Sequence, residues 1–259
     1  MKKRRLNRKT VTAVFFISAV LLVFTSIGAA RAAFVTETAY DSIIEMHDIG
    51  VTLKENGNPV AWRSYDTKNR AWNTNDDTAS LLSDVDEVKY GTSYDEELTV
   101  SNSGMIDEYV RVTVYKYWVD ADGKKVTDLD PSMIDLELLT EGTNWIIDSS
   151  YTTKERTILY YTVPLKGNES VAGGETSKAF AETVELDGKI KNYASQVITK
   201  DEETGNLIYT TEYDYNGFAF CIDVQVDAIQ THNAEDAALS AWGRKISVGS
   251  DGSLSLVEG

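Results

Sequence analysis

Few residues in this chain have the types that usually carry chemistry, and their spacing serves chemistry poorly. The 259 residues include two histidines, His47 and His232, and one cysteine, Cys221. A catalytic zinc usually takes three protein ligands, and the sequence contains no His-Glu-x-x-His helix. His47 stands beside Glu45 and Asp48, which is too small a donor set to hold a metal. His232 precedes a helix start and is expected to make a local hydrogen bond. Cys221 falls in a strand pattern, with no second cysteine for exchange and no flanking base to generate a thiolate. It reads as a small packing residue. Asp120, Ala121, Asp122 and Gly123 open like a calcium loop, but Lys124 and Lys125 follow and no glutamate closes the loop at its twelfth position. Turn chemistry accounts for these residues without an ion. No phosphate-cradling glycine loop or Gly-x-Ser-x-Gly elbow occurs. Carboxylates are too numerous to single out an acid–base pair. The expectation is a protein that is not an enzyme, with no catalytic residue, no cofactor and no metal site.

The elements around these residues are mostly strands. Residues 49–54 alternate and end in the turn cluster 55–59, and strands are expected again at 96–101, 136–139, 157–163, 178–186 and 207–213. The clearest strand is 108–119, with Val110, Val112, Val114 and Trp118 on one face and Tyr109, Arg111, Thr113, Tyr115 and Tyr117 on the other. A second is 218–229, whose Phe218, Phe220, Ile222, Val224 and Val226 share a face opposite Cys221, Asp223 and Asp227. Residues 64–86 are polar and poorly periodic, and read as a long loop with one helical turn near 79–82. One helix is expected over 234–242, capped by Asn233, with Glu235 and Asp236 in its first turn and Gly243 as its stop. Turns recur at the spacing of a β-sandwich, so the fold class is all-β, a jelly-roll or Greek-key sandwich with one short C-terminal helix. A single cysteine excludes an internal disulfide framework, leaving stability to a packed core.

The start of the chain has a different character. Lys2, Lys3, Arg4, Arg5, Arg8 and Lys9 precede an uncharged, largely apolar run over 11–30, which closes on Ala30, Arg31 and Ala32. A basic region, an apolar region and small residues at the −3 and −1 positions make an export signal over 1–32. Cleavage is expected between Ala32 and Ala33, with Ala30, Ala32 and Ala33 as the recognised residues. The apolar run is also long enough to serve as an uncleaved anchor. Either way the remainder is translocated, and with the leader cleaved, contact with the membrane is expected only during export. Seven of the 25 lysines and arginines lie in 1–32, which leaves 18 against 41 acids, a net charge of about −23 over 33–259. Such a surface repels nucleic acid and anionic lipid. The expected domains are therefore the leader, 1–32, and a single β-sandwich domain, 33–259.

Several segments carry a family likeness. Ala32, Ala33 and Phe34 lead into a Thr- and Glu-bearing stretch, VSNSG over 100–104 runs into DEYVRVTV over 107–114, and KYW follows at 116–118. LYYTVPL stands at 159–165, and VDAIQTHN over 226–233 leads to AWG at 241–243. Taken together and in order, these resemble the TasA/camelysin family of Gram-positive secreted proteins, and within it the clostridial-type biofilm matrix branch. The resemblance implies an exported jelly-roll subunit of the extracellular matrix, released by a SipW-type signal peptidase. It implies assembly into fibres with further copies of itself, and association with other matrix proteins at the cell surface. It also implies that the freed N-terminal segment, 33–44, adds as a strand to the next subunit. Phe34, Val35, Tyr40, Ile43 and Ile44 would then be its docking side chains.

A structural subunit of the matrix is thus the leading expectation. One alternative is a monomeric surface module that binds a glycan or host ligand through Tyr and Trp side chains such as Tyr115 and Tyr117. The other is a surface metallopeptidase, for which the sequence provides no ligand set.

Overall fold

The computed structural model describes residues 49–66, 69, 71–74, 81–82, 88–168, 174–200 and 207–258, all within one compact unit, Met46–Gly259. The leader, its cleavage residues, the segment 33–44 and His47 lie outside the described residues.

The described chain is mostly strand, in antiparallel sheets, with one α-helix. In chain order the strands of the first sheet are β1 (Gly50–Glu55), β2 (Asn58–Asp66), β3 (Ala71–Thr74), β4 (Ser93–Asn102), β7 (Ile134–Leu138) and β10 (Ala181–Leu186), arranged β3-β2-β1-β4-β10-β7. The second sheet is built from β5 (Glu108–Val119), β6 (Lys125–Val126), β8 (Trp145–Ile147), β9 (Arg156–Tyr161) and β13 (Ala219–Gln230), in the order β13-β5-β9-β8, with β6 pairing the end of β5. Two ribbons complete the fold: β11 (Ala194–Lys200) with β12 (Leu207–Tyr213), and β14 (Ile246–Val248) with β15 (Leu254–Leu256).

Strand alternation explains how the sheets stack. Val51 and Leu53 of β1, Leu98 and Val100 of β4, and Val184 of β10 point the same way, as period-two side chains must. They meet Val110, Val112 and Val114 of β5 with Leu159 of β9 in one buried cluster. Each such fully buried aliphatic side chain contributes about 1.5–3 kcal/mol to the folded state. The expected faces of β5 are the observed ones, and its other face is buried at Tyr109 and Thr113 and half-buried at Arg111, Tyr115 and Tyr117. There Tyr109 and Tyr160 pack against Ala234, Ala238 and Trp242 of the helix α1 (Ala234–Trp242) and against Ile246 and Leu254. A third cluster, around Trp118, Ile134, Leu186, Ile190 and Tyr215, closes one end of the domain.

Two expectations need correction. The stretch 64–86 is not one long loop. Ser64 and Tyr65 continue β2, and Ala71–Thr74 forms β3, which pairs with it at Tyr65 and Trp72. Among the described side chains of β2 only Val60 is buried, with Ala61 packed partly against the core, so the sheet here is held largely by its backbone ladder, and polar side chains do not interrupt it. Asn233, expected to cap α1 through its side chain, makes no such bond. Its backbone is left-handed (φ 53°), which turns the side chain away from the first-turn amides, and Glu235 instead accepts a hydrogen bond from the Val248 amide at 3.0 Å. Gly243 does stop the helix, at φ 65°, with cap amides returning to Ala238 and Leu239.

Candidate functional site

The described residues confirm that turn chemistry occupies the calcium-like segment. Asp120 Oδ1 accepts from the Asp122 amide at 3.0 Å and the Lys124 amide at 2.8 Å, so the carboxylate is committed to its own turn. Among the described residues no group of three or more His, Cys, Asp or Glu is placed to hold a metal ion. His232 is exposed beside α1 and makes no side-chain hydrogen bond among the described residues. Cys221 stands opposite Tyr117 in the β13–β5 register, half-buried. Burial raises its thiol pKa while Tyr117 pulls the other way, so the thiol is not the lowered, reactive kind. Tyr117 itself lies beneath the Lys125 ammonium, 5.4 Å from the ring centre, and Tyr115 is half-buried. Neither ring stands free as a glycan platform.

The feature with most to offer a partner is the edge formed by β13. This strand is 12 residues long, pairs with β5 along its whole length, and is the last strand of its sheet among those described. An edge strand of this kind presents alternate N–H and C=O groups outward with no ladder partner. Its inward row, Phe220, Ile222, Val224, Val226 and Ala228, packs against the core clusters but is only partly buried, whereas Val110, Val112, Val114 and Trp118 in the corresponding row of β5 are fully buried. On the opposite face Asp227 Oδ2 accepts from Arg111 Nη2 at 2.6 Å, and Asp227 Oδ1 lies 3.4 Å from Arg63 Nη1. Arg111 also donates to the Trp242 carbonyl at 3.2 Å and stacks over the Trp242 ring, so α1 pins the end of β13 next to Gln230. The edge is thus backed by β5 and α1, has no strand partner among the described residues, and is crossed near Asp227 by the Arg63 side chain of β2.

Two side chains break the apolar rule of the core. Glu96 is 1% exposed and Glu108 is 0% exposed, and none of their carboxyl oxygens has a hydrogen-bond partner among the described residues. Burial, aided by the adjacent Glu55 carboxyl, raises the pKa of Glu96. Burial alone pushes Glu108 up to about 9. The Gly50 amide is near enough to draw Glu108 back toward ionisation without closing a hydrogen bond. Both residues were visible in the sequence as ordinary strand members. Their phase gives them away, since Glu96 shares a face with Leu98 and Val100, and Glu108 shares one with Val110 and Val112.

The sequence-predicted site residues Ala30, Ala32, Ala33, Phe34, Val35, Tyr40, Ile43 and Ile44 lie outside the described residues, so the geometry brings none of them to this edge or away from it. Among the described residues no helix is long and apolar enough to cross a membrane. No family model, no curated protein and no solved structure matches this chain.

Proposed function

We propose that this protein is an exported, non-enzymatic subunit of an extracellular matrix that assembles into fibres by strand addition. In this reading a SipW-type signal peptidase removes 1–32, the two stacked sheets are a jelly-roll sandwich, and the freed segment 33–44 docks along β13 of a neighbouring subunit. The observation that carries it is the half-covered apolar row of β13 beside an unpaired backbone edge. A strand laid there would satisfy the outward amides and carbonyls and cover Phe220, Ile222, Val224 and Val226. The 12 residues of β13 equal the length of 33–44. Because donor and acceptor lie on different parts of one chain, the contact is head-to-tail and propagates without closing. The strongly acidic surface keeps free subunits soluble until they dock.

Electron microscopy of residues 33–259 and of the same protein lacking 33–44 tests this. Filaments from the longer form and none from the shorter are expected. Filaments from both would remove the strand-donor account.

A second reading, a monomeric adhesion module, is favoured by the β11–β12 ribbon, where Ile198 and Tyr213 are each 56% exposed and Tyr193 stands exposed at its base.

A further inference from the structure

We infer that β1 is latched at both ends by protonated glutamates, Glu108 at its start and Glu96 at its finish, and that loss of these protons undocks the β1–β3 edge of the first sheet.

Both carboxyls are buried with no hydrogen-bond partner among the described residues, and the strand pairing sets them near the two ends of β1. Val51 pairs with Asn102, whose side-chain amide donates to the Leu165 carbonyl, and Leu165 bridges to Glu108. At the other end the Asn56 amide donates to the carbonyl of Glu97, next to Glu96, at 2.8 Å. β4 spans the distance between the latches, from Glu96 to Asn102, which pairs with Val51. Six residues of strand separate its ends by about 20 Å. Gly50, the first residue of β1, is also held. Its carbonyl accepts from the Ser103 amide at 2.7 Å, and a side chain there would meet Ser103 Oγ at 3.0 Å. No slack exists for the backbone to retreat from a charged Glu108.

Among the described residues no lysine or arginine is placed against either carboxyl. Toward Glu108, β1 offers Gly50 and Val51, while β13 offers Gln230 as the register partner. The charged groups nearest along the chain and the 165–175 loop, Asp107, Lys166 and Glu175, face outward and satisfy one another. Lys166 Nζ donates to Asp107 at 2.6 Å, and the Lys166 amide donates to Glu175 Oε2 at 3.1 Å. Toward Glu96, β1 offers the Glu55 carboxyl, and β10 brackets the position in register with Ala181 opposite Leu98 and Thr183 opposite Asp95. The Leu82 amide donates to Glu55 Oε1 at 2.6 Å, so that oxygen is already engaged away from Glu96. An uncompensated buried carboxylate is strongly unfavourable, so each site must keep its proton or open.

The part that opens is the weakly held one. β2 and β3 dock to the domain through β1, and among their described side chains only Val60 is buried, with Ala61 packed beside it. The sign follows from linkage. Both groups bind protons more tightly folded than unfolded, so their contribution is complete below the ordinary glutamate pKa of 4.5. It declines as pH rises above 4.5 and is fully lost once pH passes about 9 for Glu108.

The test is amide hydrogen exchange on the protein as its host exports it, expressed as protection factors so that base catalysis cancels. Between about pH 6.5 and about pH 9.5, β1 and β2 amides should lose protection at least about tenfold, while β5 and β9 amides change less than about threefold. The double variant Glu96→Gln, Glu108→Gln keeps the shape without the charge and should hold β1 protection at the higher pH. Equal loss in β1 and β5, no loss in β1, or loss that persists in the double variant would each overturn the inference. Should the variant not fold, carbon-13 carboxyl shifts of the wild type decide the matter, because a Glu108 ionised at about pH 7 is incompatible with the latch.

Discussion

At the residue scale the described chain contains one buried ion pair, Arg244 with Asp148, and it shows how the C-terminal region is fixed to the sheets. Arg244 Nε donates to Asp148 Oδ2 at 2.6 Å, and its Nη1 donates to the Val257 carbonyl, also at 2.6 Å. Asp148 follows β8 and is 1% exposed. Arg244 follows α1 and stacks against Tyr151 at 5.7 Å. A single guanidinium thus joins the β8 edge, the tail after β15 and the helix end. Removing one partner strands the other, so Arg244→Ala should cost about 3–5 kcal/mol in denaturant unfolding. Arg244→Met combined with Asp148→Leu should cost distinctly less, because no buried charge is then left alone. Equal losses from the single and double changes would mean that packing, not the pair, holds this corner. Lysine at 244 should rescue poorly, since one ammonium cannot reproduce the forked contact to Asp148 and Val257.

At the element scale the hairpin of β1 and β2 turns on two residues, Asn56 and Gly57, with φ 49° and 81°. Two successive left-handed residues define the turn whose twist matches antiparallel strands, and Asn-Gly is the pair best suited to it. Gly57→Val should therefore destabilise by about 1 kcal/mol or more, read as a fall in Tm, although a side chain there meets nothing within 4 Å. No change in Tm would show that the turn relaxes freely. This turn was legible in the sequence, as were β5, β13 and the bounds of α1, because long runs of strict alternation and a glycine stop are strong local signals. β2 was not read as a strand, since Pro59 closes a turn cluster before it and the polar run from Ser64 imitates a loop. β3, β8, β14 and β15 are too short to show a period, and their pairing is dictated by strands distant in sequence. The reversed role of Asn233 was hidden for a related reason: its left-handed backbone follows from how β13 delivers the chain into α1.

At the scale of the whole molecule the order of strands decides what the sequence could not. Alternation marks 218–229 as a strand, yet nothing local says that it stands at an edge while β5, equally regular, sits inside with partners on both sides. Edge position makes β13 the open face of the domain, and it also permits a clean test of assembly. In an antiparallel edge strand, successive residues direct their amides alternately toward the paired neighbour and toward the open side. Of Val224→Pro and Gln225→Pro, one removes a ladder bond to β5 and should cost about 3 kcal/mol, while the other removes only an outward donor. The outward variant should keep the wild-type Tm within a few degrees and remain monomeric by light scattering under conditions where the parent forms filaments. Its mixture with parent subunits should shorten filaments, because it still donates 33–44 but accepts no strand, so growth stops at its β13. Normal filaments from both proline variants would place the growing contact elsewhere and leave β13 as an edge that the acidic surface alone keeps apart.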